Sequence, residues 1–411
     1  MTTARPSPVS PSAATRPRDP RLDFFRGLGM FIIFIAHLPN NTWTLWIPAR
    51  FGFSDATEIF VFCSGMASAI AFGKIFDDRG WWMGAARIAH RVWQVYWAHI
   101  GLFFVIAAIL AAVSASGWVG ADYVGQLNLW PFFENAVPNL PALLTLTYVP
   151  NYFDILPMYL VILAMLPLVM GIARLGPFYA GAFVVTLWLA AGFGYLDLPA
   201  EPWSDRTWFF NPFAWQLVFF TGFAFMIGWL PAPRVDRVLI ALAIVIVIAT
   251  IPFAYFRILG AYPALLEFNR SITPLIDKTH FGILRYVHFL ALAYLAWIAA
   301  GEHGHRLVAG GAWGKFVAIV RKVGQQSLAV FLTSLVVAQS LAILRDELGR
   351  TPLTNALTNC IGFAILIATA YTVAWFKSQP WRRRAKPVAS GVKADTQART
   401  INRSTSPAAA E

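Results

Sequence analysis

Charge is what this sequence has least of. Only 13% of its 411 residues are Asp, Glu, Lys or Arg, about half the share of a soluble domain, while 58% are hydrophobic and the mean hydropathy is +0.59. Apolar runs this long have no polar face to give to water, so a soluble fold is excluded in favour of a polytopic membrane protein. Cysteine is nearly absent. Cys63 and Cys360 both fall in apolar runs, which reads as small core residues rather than a disulfide, a zinc site or a thiol nucleophile. Also missing are a Walker loop, a dinucleotide glycine fingerprint, a GxSxG elbow and an HExxH pair, so no soluble-enzyme signature applies, and no metal is expected. No cleavable signal peptide is visible: residues 1–20 are rich in Pro, Ser, Thr and Arg and read as a flexible cytoplasmic tail.

What is present is a series of apolar runs near 24–38, 56–74, 92–114, 155–173, 178–196, 212–230, 237–256, 281–300, 325–344 and 355–376. They predict an all-α integral membrane protein with about ten transmembrane helices. The net charge of +12 does not point to nucleic acid, because the basic residues alternate by side. Arg50, Arg206, Arg257, Arg270, Lys278, Arg285, Arg345 and Arg350 fall on one side and Arg26 within the first span. The other 23 of the 32 Lys and Arg lie in the tails and the alternate loops, which predicts both termini cytoplasmic. A membrane domain over 21–376 would then carry a basic, disordered cytoplasmic tail over 377–411, suited to anionic lipid.

Three stretches carry candidate chemistry. Arg26 and His37 share a helical stripe in the first span, with Asp23 close to the same face and roughly 16 Å between the two along the axis. Ionisable groups inside a span are expensive, so this stripe is a site candidate, against the simpler readings of a snorkelling Arg and a helix-capping His. Asp55 and Glu58, three apart at the start of the second span, offer carboxylates to fix an imidazole, or else a helix cap and a solvated acid. Arg87 and Arg91 share one face at the cytoplasmic mouth, with His90, Tyr96 and His99 following. Paired guanidinium groups there suit phosphate, as well as ordinary inside anchoring.

The outer loops are acidic and aromatic. Residues 115–154 carry Asp122, Glu134 and Asp154 with Trp118, Tyr123, Trp130 and Tyr152 and hold no Lys or Arg, a mixture that suits sugar hydroxyls and sugar faces, or an interfacial belt. Asp154, Tyr159, Asn211, Trp215, Gln216 and, within span eight, His288 are further candidates for acceptor binding or support, though each alone is more readily structural.

Taken in order, RDPRLDFFRGLGMFIIFIAH, FGFSDATEIFVFCSGMASA, RVWQVYWAH, YFDILPMYLVIL, FNPFAWQLVFFTGF and VGQQSLAVF resemble the OpgC family, within the wider acyltransferase family three. The resemblance spans residues 18–376 and implies an inner-membrane enzyme that places succinyl groups on osmoregulated periplasmic glucans. It implies His37 as general base with Arg26 as its partner, and Arg87, Arg91 and Tyr96 as the holders of an acyl-CoA donor, succinyl-CoA or acetyl-CoA. Glu58 stands where the wider family usually shows Asp, so the carboxylate is kept with one more methylene. Asp55 or Glu58 would orient the imidazole. No permanently bound cofactor is implied. The expected partners are the acyl-CoA, the glucan acceptor, membrane lipid and glucan-synthesis proteins. Alternatives are acetyl transfer to another surface or lipid-linked polysaccharide, and a non-enzymatic carrier of glycan or anion. The mechanism requires a cavity joining His37 to Arg87 and Arg91.

Overall fold

The computed structural model describes residues 19–117 and 120–382. The first eighteen residues, the tail beyond 382 and Trp118 lie outside the described residues, and with them most of both expected tails. Helices stand at all ten apolar runs: α1 Pro20–His37, α2 Ala56–Ser68, α3 Trp81–Ser116, α4 Ile155–Ile172, α5 Pro177–Gly192, α6 Pro212–Ile227, α7 Arg237–Ala254 and α8 Ile283–Ala300. After α9 Gly311–Gln325, an amphipathic helix in the predicted inner segment 301–324, come α10 Ser327–Leu348 and α11 Pro352–Lys377. Among the described residues there is no strand, only an isolated bridge between Pro199 and Thr207.

Local chemistry sets several of these starts. Asp19 before Pro20, Asn211 before Pro212 and Thr351 before Pro352 each place a side-chain acceptor at the cap and a proline at the first helical position. There the missing N–H is no loss and φ is preset. Asp55 and Glu58 form a reciprocal capping box at α2: Thr57 N–H donates to Asp55, and Asp55 N–H donates to Glu58 at 2.8 Å. α2 then continues through one π turn, Ala69–Gly73, into Lys74–Asp78. Such a bulge widens a helix and occurs often at functional sites.

By length and composition, seven helical stretches among the described residues suffice to cross a membrane: Ala56–Asp78, Trp81–Ser116, Ile155–Leu175, Arg237–Ala254, Ile283–Ala300, Ser327–Leu348 and Pro352–Lys377. α5 and α6 have 16 residues each, about 24 Å, which is short of a hydrocarbon core of about 30 Å. α1 reaches 18 residues but carries Arg21, Asp23 and Arg26 in its first half.

The core is the junction of α1, α2, α4, α6 and α10. α9 lies along α1, and the two backbones meet through glycine on each side: a Cβ on Gly27 would strike the Val320 carbonyl, and one on Gly324 the Asp23 carbonyl. α2 and α6 meet the same way at Gly65 and Gly222. α7 stays largely exposed, as a lipid-facing helix would. The two cysteines part company: Cys63 is buried as expected, but Cys360 is exposed on α11, so it is no core residue.

Candidate functional site

His37 ends α1. Its Nδ1 lies 2.8 Å from the Ile33 carbonyl oxygen, which can only accept, so Nδ1 carries the proton and Nε2 is left as the basic nitrogen. The His therefore satisfies a carbonyl at the helix end and still presents a base. The ring stands edge-on to Tyr152 and Phe331, at 5.6 and 6.5 Å. The turn after it is clamped from behind. Arg345, 1% exposed, donates to the Pro39 carbonyl at 2.5 Å, and Asn41 and Asn359 exchange amide hydrogen bonds of 2.9 and 3.0 Å while Asn41 also holds the Ile35 carbonyl.

The carboxylates do not orient the imidazole as expected. Glu58 is buried against Arg285, 2.7 Å away, and Asp55 pairs with Lys278 at 2.5 Å and with Arg285 at 3.6 Å. At the membrane entrance, burial works to raise the Asp55 carboxyl, but Lys278 and Arg285 outweigh it and hold the group below the usual carboxylate range. The physical reason is the capping box: it turns both acids toward the backbone, toward Lys278 in the loop before α8 and toward Arg285 on α8, and a backbone carbonyl takes over the role at His37. His37 still feels the charges of Lys278 and Asp55 across the intervening space.

Two cavities flank this core. The outer one, about 650 Å³, is lined by His37, Asp55, Tyr152, Asp154, Arg206 and Lys278, with Gln126, Asn151, Phe209 and Phe210. Asp154, at the N-terminus of α4 and outside the membrane span, is 7% exposed, and its Oδ1 has no hydrogen-bond partner. Burial raises its carboxyl from the ordinary 3.8 to about 6, against the pull of Arg206 and of the backbone N–H groups of Asp154, Phe209 and Tyr152. Arg206 itself is spent on Glu201 and on the carbonyls of Val149 and Ala200.

The inner cavity, about 630 Å³, is lined by Arg26, Arg87, His90, Arg91 and Lys377, and by Ser68, Ala71 and Phe72 at the π turn of α2. Its lining contains no Asp or Glu. Arg87, Arg91 and Lys377 converge there with Arg26, a grouping that suits an anion. Arg26 also donates to Ser64 Oγ at 3.3 Å.

The two linings share no residue. The expectation of one cavity joining His37 to Arg87 and Arg91 is therefore corrected. Phe331 of α10, buried and stacked on buried Phe60 of α2, stands beside His37 on a helix whose Leu328 and Leu332 line the inner cavity. Other residues stand away from their expected places. Tyr159 lines the inner cavity and not the outer one, because four residues after Ile155 it is one turn deeper on α4. Tyr96 points away from the arginines and donates to the Leu144 carbonyl at 2.7 Å. Asn211 caps α6 and binds Asp197, Gln216 donates to the Val184 carbonyl, and Trp215 donates to the carbonyl of Lys278, so these three support the outer wall without lining it. His288 is buried against Ser54 Oγ at 2.7 Å, where a Cβ on Gly52 would strike its ring. Asp122 bonds Trp130 elsewhere.

Lys278, Arg206 and Arg285 were read in the sequence only as outer positive charge, and Lys377 as part of a tail. Arg285 did carry a signal: it sits inside an apolar run with His288 three residues on, an Arg and a His within one span like Arg26 and His37.

A family model described as OpgC protein matches residues 18–378. The chain belongs to the OpgC family. Membership implies an acyltransferase, in keeping with a membrane protein built around an imidazole and an anion-binding cavity. No curated protein matches the OpgC chain, and no solved structure does.

Proposed function

We propose that this OpgC protein is a membrane O-acyltransferase of the bacterial inner membrane, moving a succinyl group from cytoplasmic succinyl-CoA to hydroxyls of a periplasmic glucan. The observation that carries the reading is the pair of cavities of opposite character. The inner one gathers Arg26, Arg87, Arg91 and Lys377, which suits the phosphates of a coenzyme A thioester. The outer one joins a base, an unpaired carboxylate oxygen and exposed rings, which suits a polyol. In this reading all ten helices cross, both termini are cytoplasmic, and the outer cavity opens to the periplasm, as the bias of Lys and Arg requires.

Because the two cavities are separate, the reaction requires the layer between them to open when the donor binds. A glucan hydroxyl in the outer cavity gives its proton to His37 Nε2 as its oxygen attacks the thioester carbonyl carbon. The C–S bond breaks, the coenzyme A thiolate leaves toward the inner side, and the proton on Nε2 neutralises it. The Nδ1 bond to Ile33 keeps the tautomer in place through the cycle. Asp154 Oδ1 accepts from a neighbouring hydroxyl of the sugar. Asp55 and Glu58 act through the Lys278–Arg285 cluster that shapes the outer wall.

The test uses purified protein in nanodiscs with succinyl-CoA, acetyl-CoA and a β-glucan, following free thiol and glycan mass. Succinylated glycan and thiol should appear together, His37→Ala should abolish both, and Arg87→Ala with Arg91→Ala should raise the donor KM at least tenfold. Acetyl transfer without succinyl transfer would move the donor assignment. No thiol release with either donor, with glycan crossing a liposome bilayer, would replace the enzyme by a carrier.

A further inference from the structure

The layer between the two cavities is thin. On α4, Ile155 lines the outer cavity and Tyr159 the inner one, a single turn apart, or about 6 Å. On α10, Leu328 and Leu332 line the inner cavity while the ring between them in sequence, Phe331, stands 6.5 Å from the His37 ring. Phe331 thus has the anion-binding cavity on one side and the base on the other. It is 1% exposed and stacked on Phe60, with ring centroids 5.8 Å apart and planes at 17°.

This ring is held by packing alone. A phenyl group makes no hydrogen bond, and the rings beside it are Phe60, stacked on it, and the edge of His37. Swinging it to another rotamer forfeits dispersion contacts but breaks no polar pair. A buried hydrogen-bonded residue at the same place would be far harder to displace. Donor phosphates fixed on Arg26, Arg87 and Arg91 supply binding energy remote from the reacting carbon, which is the energy available for opening the layer. The opening needed grows with the cross-section and length of what passes.

We propose that Phe331, stacked on Phe60, is the ring displaced by the acyl end of the donor, and that its bulk restricts transfer to short acyl groups. This rests on the acyltransferase reading above. Phe331 is then the specificity-determining residue for the acyl chain, and the thioester carbonyl reaches His37 Nε2 past its edge.

The experiment compares acetyl-, succinyl-, glutaryl- and adipyl-CoA with the full-length protein in nanodiscs, using glucan as acceptor. In the wild type, kcat/KM should fall at least tenfold from succinyl to adipyl. Phe331→Ala should recover adipyl transfer at least tenfold relative to succinyl, and Phe331→Leu should move the profile the same way by less, so that a folding defect in the alanine variant leaves the test standing. Phe331→Trp should lower succinyl transfer at least tenfold while the dissociation constant for coenzyme A, measured by calorimetry, stays within twofold. An unchanged chain-length profile in both smaller variants, or normal turnover in Phe331→Trp, overturns the role of Phe331 alone. Absence of thiol release by the wild type with every thioester overturns the enzyme reading and this inference with it.

Discussion

Asp154→Asn is the most informative single substitution, because the structure makes stability and activity move in opposite directions. In the folded protein burial lifts this carboxyl from the ordinary 3.8 to about 6, so the folded state holds its proton more tightly than the unfolded chain. For an acid raised in this way, stability is greatest below the unfolded value and falls as pH climbs from about 4 to about 6. A shift of roughly two units corresponds to about 3 kcal/mol at pH 7.5 and about 1 kcal/mol at pH 4.5. Asparagine keeps the shape of the side chain and removes the charge. The variant should therefore melt a few degrees higher in detergent at pH 7.5, and the gain should shrink to about a third at pH 4.5. Its transfer rate should drop: a hydrogen bond from a sugar hydroxyl to a charged oxygen contributes about 1.5–3 kcal/mol, so the acceptor KM should rise by one to two orders of magnitude. Arg206 and Lys278 are the cations facing Asp154 across the cavity, with His37 and Asp55 beside them. They remain in the variant, so the pH window can be assigned to position 154. Equal melting temperatures at pH 7.5, or a gain that persists undiminished at pH 4.5, would refute the reasoning.

Other substitutions test the frame around the site. Arg285→Met leaves Glu58 buried without its 2.7 Å partner and should destabilise by about 3–5 kcal/mol, with stability partly restored by adding Glu58→Leu; thermal unfolding of both variants checks it. Gly27→Ala should lower the melting temperature, because the new Cβ meets the Val320 carbonyl of α9 and only separation of α1 from α9 relieves it. Arg345→Ala frees the Pro39 carbonyl two residues beyond His37 and should cut kcat more than the donor KM, read from donor titrations at saturating glucan.

The fold was legible where the period and the caps were strong. Asp55 with Glu58 three residues on offered a helix cap in the sequence, and a helix stands at every apolar run. Charge identity was legible too, since Arg87 and Arg91 do meet at one cavity. Partnership was not. Whether Glu58 faces His37 or Arg285 depends on how α2 turns against α6 and how α8 meets the segment before α2, where Gly65 approaches Phe219 of α6 and Gly52 approaches His288 of α8. No spacing rule within one segment records that. Lys278 escaped for the same reason: it lies in a loop with ordinary outer charge, and the indole of Trp215, holding its carbonyl, brings it to Asp55.

The separation of the two cavities changes what the Arg26–His37 stripe means. Eleven residues apart on α1, the pair was expected as general base and partner, and each lines a different cavity. Arg26 belongs with the anion-binding arginines, and His37 with Asp154 and Tyr152. A continuous wet channel past both would conduct small ions and waste thioester by hydrolysis. In the proposed reaction the buried stack of Phe331 on Phe60 prevents this at rest, because an anion crossing it alone loses its hydration with nothing in return. A donor anchored by its phosphates would differ, since its binding energy would offset the opening and its arm would fill the gap as it forms. The spacing along α1 then sets a reach, from phosphate site to base, of about half a bilayer. Free coenzyme A fragments lacking the phosphates should for that reason bind weakly and also fail to turn over, because they have no remote energy with which to displace Phe331.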